Sequence, residues 1–234
     1  MVATYVQLLE EEYRGKLGAD ADEYIHFARD GAVRMQQLID NLLEYSRVGQ
    51  HRRPFERVDC GSVVDQTIRH LKPIIDESGA VITRGPLPEV LGDPSELGQL
   101  FQNLLSNAIK FHGSAPPRVE VEAERVGDEW KISVRDHGIG IAPEHFDRIF
   151  RIFQRLHARS EYPGTGIGLA ICRKVVENHE GTVWVESRPQ EGATFCFTLP
   201  VAATSVTAAR ESQDSMEVPD RAAVGRRSAA GSRG

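Results

Sequence analysis

Pro163-Gly164-Thr165-Gly166-Ile167-Gly168-Leu169-Ala170-Ile171 alternates glycine with small or branched residues and then turns helical, with Leu169, Ile171, Val175 and Val176 on an apolar stripe ending near His179. The pattern is a loop feeding a helix N-terminus. Such a junction gathers unpaired backbone N–H groups and the positive end of the helix dipole, and its glycines let the main chain come close to a ligand. A polyphosphate suits it, although a plain tight connection would use the same residues. Two phosphate loops are excluded. No Lys-Ser or Lys-Thr follows the glycines as a P-loop requires, and Leu169 stands where the third glycine of a dinucleotide fingerprint would fall.

Working outward, residues 54–200 mix strand and helix patterns. Short strands are expected at 55–58, 80–83 and 89–91, and a helix at 60–77 carries Val63, Val64, Ile68, Leu71 and Ile75 on one side. Asp93-Pro94 opens a stronger helix, whose Leu97, Leu100, Phe101, Leu104, Leu105, Ala108 and Ile109 form a wide buried face ending near Phe111 and Gly113. The alternating runs 119–125 and 130–136, with Gly127-Asp128 near the turn, make a hairpin, and 183–187 with 193–199 make a closing one. These elements predict an α+β domain with helices on one face of a mixed, mostly antiparallel sheet. Beyond Pro200, residues 201–234 hold few large apolar side chains, the composition of a disordered tail.

Residues 1–49 form a different unit. Val2, Val6, Leu9 and Tyr13 recur at helical spacing until Gly15 and Gly18. Asp20, with Glu23 three residues on, can cap a second helix in which Ile25, Ala28, Ala32, Met35, Ile39 and Leu42 alternate three and four apart. This predicts an antiparallel hairpin with a coiled-coil-like seam. Two helices leave such a seam open, so pairing with a second copy into a dimeric four-helix bundle is expected; a hairpin packed on its own domain is the alternative. The shorter first helix leaves the end of the second, from Leu42 to Val48, without an intramolecular neighbour. The polar stretch 49–54 reads as a solvated linker.

Composition limits the functions. The 234 residues, 40% of them hydrophobic, suffice for one core and a smaller element. A formal charge of -6 and the lack of a basic run interleaved with aromatics argue against nucleic acid as a partner, so any polyanion site is local. Cys60, Cys172 and Cys196 are odd in number and lack metal-ligand spacing, which reads as buried free thiols. No secretory signal or membrane-length apolar run occurs, so a cytoplasmic chain without direct membrane contact is expected.

Three polar features stand out. Asn103 and Asn107, four apart on the apolar helix, share one face, with Lys110 a turn later. They are either a hydrogen-bonded surface stripe or neutral oxygen ligands for a Mg²⁺ that keeps most of its waters and bridges phosphates. Asp136-His137-Gly138-Ile139-Gly140 ends a strand. Its carboxylate can cap a turn, or it can accept a hydrogen bond from an exocyclic amine while the glycines let the backbone close over a flat ring. Phe150, Phe153 and Arg155 lie in a long polar segment between Gly140 and Gly164, as in a lid.

Taken in order, Asn103, Asn107, Lys110 and Phe111, then Asp136-x-Gly138-x-Gly140, then Phe150-x-x-Phe153, then Gly164-Thr165-Gly166-x-Gly168-Leu169 resemble the catalytic ATP-binding domain of sensor histidine kinases. The likeness continues through Gly192-x-Thr194-Phe195 to Pro200. Through Tyr5-Val6-Gln7-Leu8-Leu9 and Arg34-Met35-Gln36-Gln37-Leu38-Ile39, the hairpin resembles the dimerisation and phosphoacceptor domain of the phytochrome-like, PAS-linked bacterial members. The resemblance implies a Bergerat-type α/β sandwich that binds ATP and Mg²⁺. On it, Asp136, Gly138 and Gly140 meet adenine, Asn107 and Asn103 hold the metal, and Lys110 and Arg155 face phosphates. The loop of Gly164, Thr165, Gly166, Gly168 and Leu169 encloses the triphosphate, with Phe150 and Thr194 also in the nucleotide site.

The implied activity is that of an ATP-dependent protein-histidine kinase of a two-component system, a homodimer or a heterodimer with a full-length kinase, with a response regulator as partner. In the family the phosphorylated histidine lies just upstream of the segment matching Met1-Val2-Ala3, so the expectation is a start set too far downstream or a chain that phosphorylates in trans. His26 matches no phosphorylated position and is expected to be an ordinary surface or packing histidine. Asn103 stands where related ATPases carry a glutamate base, which favours transfer to protein over hydrolysis. His137 for an asparagine beside Asp136, Glu180 for the second glycine after His179, and Gln190 at a glycine position depart from the pattern and bear on loop geometry. A non-catalytic ATP-binding or dimerisation regulator of a full-length kinase stays open, as does an anti-sigma-type serine kinase, against which the hairpin argues.

Overall fold

A computed structural model describes residues 1–50, 54–158 and 161–202; residues 51–53 of the expected linker and the expected tail from 203 onward lie outside the described residues. Helices α1 (Val2–Tyr13) and α2 (Ala19–Arg47) pack as a hairpin. Asp20 does not cap α2. Gly18 takes the N-cap position, Asp20 falls in the first turn, and Asp22 accepts the Gly15 N–H at 2.9 and 3.0 Å, because its carboxylate is the one turned back toward the connecting loop. Glu10, buried between the helices, binds Arg29 of α2 at 2.6 Å and Arg14 at 2.7 Å. The outer seam stays open, with Met35 55%, Ile39 53% and Leu42 45% exposed.

The end of α2 does have an intramolecular neighbour. Val48 is buried in the core, and Lys174 of helix α6 (Gly168–Asn178) donates to the Tyr45 carbonyl at 2.7 Å with its ammonium 4.7 Å from the Tyr45 ring centre. Glu96 accepts the Gly49 N–H at 2.9 Å and the Asn178 side-chain amide at 2.8 Å. A cation at carbonyls left unpaired by a helix C-terminus is favourable, and hydrophobic spacing within α2 could not reveal it.

Strand β1 (Glu56–Asp59) pairs antiparallel with β3 (Glu89–Gly92) in a separate ribbon, Val58 against Val90, instead of joining the main sheet. That sheet has the order β2 (Val81–Arg84), β4 (Arg118–Val126), β5 (Glu129–Asp136), β7 (Ala193–Pro200), β6 (Val183–Ser187), with β2–β4 parallel and the other pairs antiparallel. The expected helix at 60–77 is two, α3 (Cys60–His70) and α4 (Lys72–Ser78). Pro73 explains the break, since it has no N–H to donate to the Arg69 carbonyl one turn earlier and its ring crowds that carbonyl.

Cross-strand register builds the buried face. Val121 pairs with Val134, Val134 with Phe195, and Phe195 with Val185, while Ile132 pairs with Phe197. Helix α5 (Pro94–Lys110) lays Leu97, Leu100, Phe101, Leu104, Leu105 and Ile109 in the core, with Phe101 edge-on to Phe197 at 5.8 Å. Each such side chain contributes on the order of 2 kcal/mol by leaving water. Glu120, Glu122, Lys131 and Arg135 alternate with this face and mark the other side of the sheet. All three cysteines are free and buried, and burial pushes the Cys60 thiol up to about 12.

Asp93 fixes the start of α5 by accepting the Ser95 and Glu96 N–H groups at 2.8 and 3.3 Å, with Pro94 in the first turn. A buried His179 locks this corner. Its Nε2 accepts the Asp93 N–H at 3.1 Å, its Nδ1–H donates to the Val175 carbonyl at 2.8 Å, and its ring stacks on Phe55 at 4.5 Å. Glu180 and Gln190, in the loops before and after β6, take the left-handed φ values of 60° and 66°, so those loops keep a glycine-like geometry on ordinary side chains.

Candidate functional site

A cavity of about 420 Å³ lies between α5, the end of β5, the stretches 141–157 and 162–163 and the start of α6, and α2 forms part of its wall. Asn103, Asn107 and Lys110 line it from α5, Asp136 and Gly140 from the end of β5, and Arg155 from the long segment. The glycine loop adds Gly164, Thr165, Gly166, Gly168 and Leu169. Three expected residues stand behind the lining. Phe150 is buried with its ring edge-on to Phe195 at 6.5 Å, Thr194 sits in the sheet opposite Arg135, and Gly138 uses its N–H on Asp136. The first part of the expected lid, 141–150, is less polar a layer than its composition predicts, because a short 3₁₀ turn at Pro143–His145 leads into the buried Ile149 and Phe150.

Asp136 is held from behind. Its Oδ1 accepts the Gly138 N–H at 2.9 Å and the Ala193 N–H at 3.2 Å, which joins the ends of β5 and β7. Burial pushes its carboxyl above the ordinary value, and those two N–H groups and His137 oppose the shift. His137 itself is exposed, its Nδ1 3.5 Å from the Arg118 carbonyl.

The other half of the lining suits phosphates. Helix α6 begins at Gly168 after Ile167 with no side-chain cap, so its first-turn N–H groups lack that partner. Asn103 faces this turn: its Oδ1 lies 3.0 Å from where a side chain on Gly168 would begin, and its Nδ2 is buried with no hydrogen-bond partner. Buried orphan donors are rare, and a ligand bearing acceptor oxygens would satisfy this one. Lys110 places its ammonium 4.1 Å from the centre of the Phe111 ring, and burial, then the Arg155 charge, depress its pKa to about 8.

Sequence reading missed Gln37, Asn41, His157 and Tyr162 in the lining. Tyr162 packs on Phe111 at 5.0 Å and on His157 at 5.3 Å, and its carbonyl accepts from Arg155 at 2.6 Å. Its place directly before Pro163-Gly164 was the available signal. Nothing local marks Gln37 and Asn41, which reach the cavity from the hairpin.

A helix layer packs on a mixed sheet, with amides, a lysine and a glycine loop gathered at one cavity. Residues 92–203 match the model of the "Histidine kinase-, DNA gyrase B-, and HSP90-like ATPase" family, and this part of the chain belongs to it. Over 200 residues the chain is 53% identical to Cyanobacterial phytochrome A of Nostoc sp. (strain PCC 7120 / SAG 25.82 / UTEX 2576), covering 86% of this chain and 26% of that protein. The catalytic domain of histidine kinase ThkA aligns with TM-score 0.55 and 25% identity over 63% of this chain and 96% of its own. Full-length ShkA in complex with AMPPNP aligns with TM-score 0.62 and 26% identity over 87% and 47%. The relatives are phytochrome-linked and sensor histidine kinases, and the chain spans about a quarter of the length of the first of them. Among the described residues no helix is long and apolar enough to cross a membrane.

Proposed function

We propose that this chain binds ATP with Mg²⁺ and transfers the γ-phosphate to a histidine presented by a partner, as the kinase half of a cytoplasmic two-component system. Residues 54–200 are the catalytic unit and 1–49 the dimerisation hairpin. The observation that carries the reading is the single cavity combining Asp136, the Asn103–Asn107 pair, Lys110 and the uncapped start of α6. Asp136 takes the adenine amine, and Asn107 with Asn103 would hold the metal. Mg²⁺ held there would supply charge neutralisation for the phosphates. Lys110, Arg155 and the first-turn amides of α6 orient the triphosphate, and positioning with charge stabilisation supplies most of the catalysis in such transfers. The open seam of Met35, Ile39 and Leu42 supports pairing with a second copy or with a full-length kinase, and a response regulator would accept the phosphoryl group next.

Incubation with Mg²⁺ and γ-labelled ATP, alone and with an added hairpin carrying an acceptor histidine, should put acid-labile label on the added hairpin only. Label on this chain would give one of its own histidines the acceptor role. No label anywhere, despite ATP binding, would leave a nucleotide-binding regulator of another kinase.

Lys110 adds a pH signature. With its pKa held at about 8, the side chain is a cation below that pH, and a bound triphosphate raises the value by favouring the charged form. Affinity for ATP should therefore be full below pH 8 and fall above it, by up to about tenfold per pH unit until the bound-state pKa is reached. Titrations of Lys110→Met from pH 7 to 10 should show weaker binding without that slope.

A further inference from the structure

Asn41 lies on the hairpin, yet its Nδ2 donates to the Thr165 Oγ1 at 2.7 Å across 124 residues of sequence. Asn41, Gln37 one turn earlier and Thr165 all line the cavity. Thr165 sits between Gly164 at φ 150° and Gly166 at φ 75°, so its own loop does little to fix it. The restraint comes from α2. That helix is in turn fastened to α6 four residues after Asn41, where Lys174 binds the Tyr45 carbonyl.

We infer that Asn41 is a positioning residue for the phosphate-binding loop, aiming the Thr165 hydroxyl as a donor at the phosphates; the inference rests on the cavity being an ATP site. A threonine hydroxyl has one proton and two lone pairs. When a lone pair accepts from Asn41, the proton is directed elsewhere, and the accepted bond strengthens the one donated onward. The neutral amide achieves this without repelling phosphate. The hairpin thereby acts on nucleotide binding directly, in addition to any role as a pairing surface.

The test measures affinity of the full chain for a fluorescent ATP analogue. Asn41→Ala and Thr165→Val should each weaken binding about threefold to tenfold, the scale of one net hydrogen bond. The double variant should be no weaker than the poorer single one, because Asn41 acts only through Thr165. Gln36→Ala, on the exposed face of α2 where its amide meets only Asp40, should stay within about twofold of wild type. Unchanged affinity in Asn41→Ala, additive losses in the double variant, or a Gln36→Ala loss equal to that of Asn41→Ala would overturn the inference. An unmutated chain that binds no ATP analogue would remove the underlying reading as well, and shows itself before any variant is compared.

Discussion

Asp136→Asn should weaken ATP binding about a hundredfold and reverse the preference for the base, so that inosine triphosphate binds better than ATP. Geometry dictates which way the new amide points. The Gly138 and Ala193 N–H groups both require an acceptor at the Oδ1 position, so the asparagine oxygen must stay there and its NH₂ must face the cavity. An adenine amine then meets a donor, with loss of a hydrogen bond to a charged group, about 1.5–3 kcal/mol, and two donors left facing each other. A 6-oxo purine meets a donor it can use. The backbone bonds behind Asp136 survive, so thermal stability should hardly change. Calorimetric titration with both nucleotides decides the matter: retention of ATP affinity in the variant would show that Asp136 does not read the base.

Much of this architecture is legible because local physics agrees with the tertiary outcome. Asp93-Pro94 marks the start of α5 by capping chemistry, the apolar face of α5 is continuous, and the alternation in β4, β5 and β7 matches their register. Glycine spacing and paired amides likewise point to the cavity before any coordinate is considered. The misses share one cause, which is that the deciding partner is remote. Asp20 has the right spacing for a cap, but the Gly15 N–H selects Asp22. The C-terminal end of α2 looks unpartnered until α6 supplies Lys174, and Asn41 looks like a surface amide until Thr165 arrives. The break at Pro73 was written in the sequence, and the apolar stripe running through it hid the stop. Glu180 and Gln190 show the converse: neither residue type announces a left-handed backbone, yet the turns impose it.

Gly192 is where that tolerance should end. Its φ is 82°, and a β-carbon there would run into the main-chain carbonyl of Asp136, with the Asp136 carbonyl carbon and the His137 Cα each 2.9 Å away. None of these atoms belongs to a flexible side chain that could swing aside. Gly192→Ala should therefore lose roughly 3 kcal/mol, part from the left-handed backbone and part from overpacking. Thermal unfolding should drop by roughly 10 °C for a domain of this size. The damage should also reach the nucleotide. The Gly192 carbonyl accepts from Ser187, whose hydroxyl holds the Ile141 N–H, and the next N–H, on Ala193, holds Asp136. A shift that relieves the clash must move at least one of those bonds, so ATP affinity should fall even at temperatures where the variant is fully folded. Gly98→Ala supplies the contrast: nothing lies within 4 Å of its β-carbon site on α5, and the change should raise stability by up to about 1 kcal/mol through helix propensity alone. If Gly192→Ala melts with the unmutated chain while Gly98→Ala behaves as expected, the close approach of β7 to the end of β5 is wrong, and with it the account of how Asp136 is held.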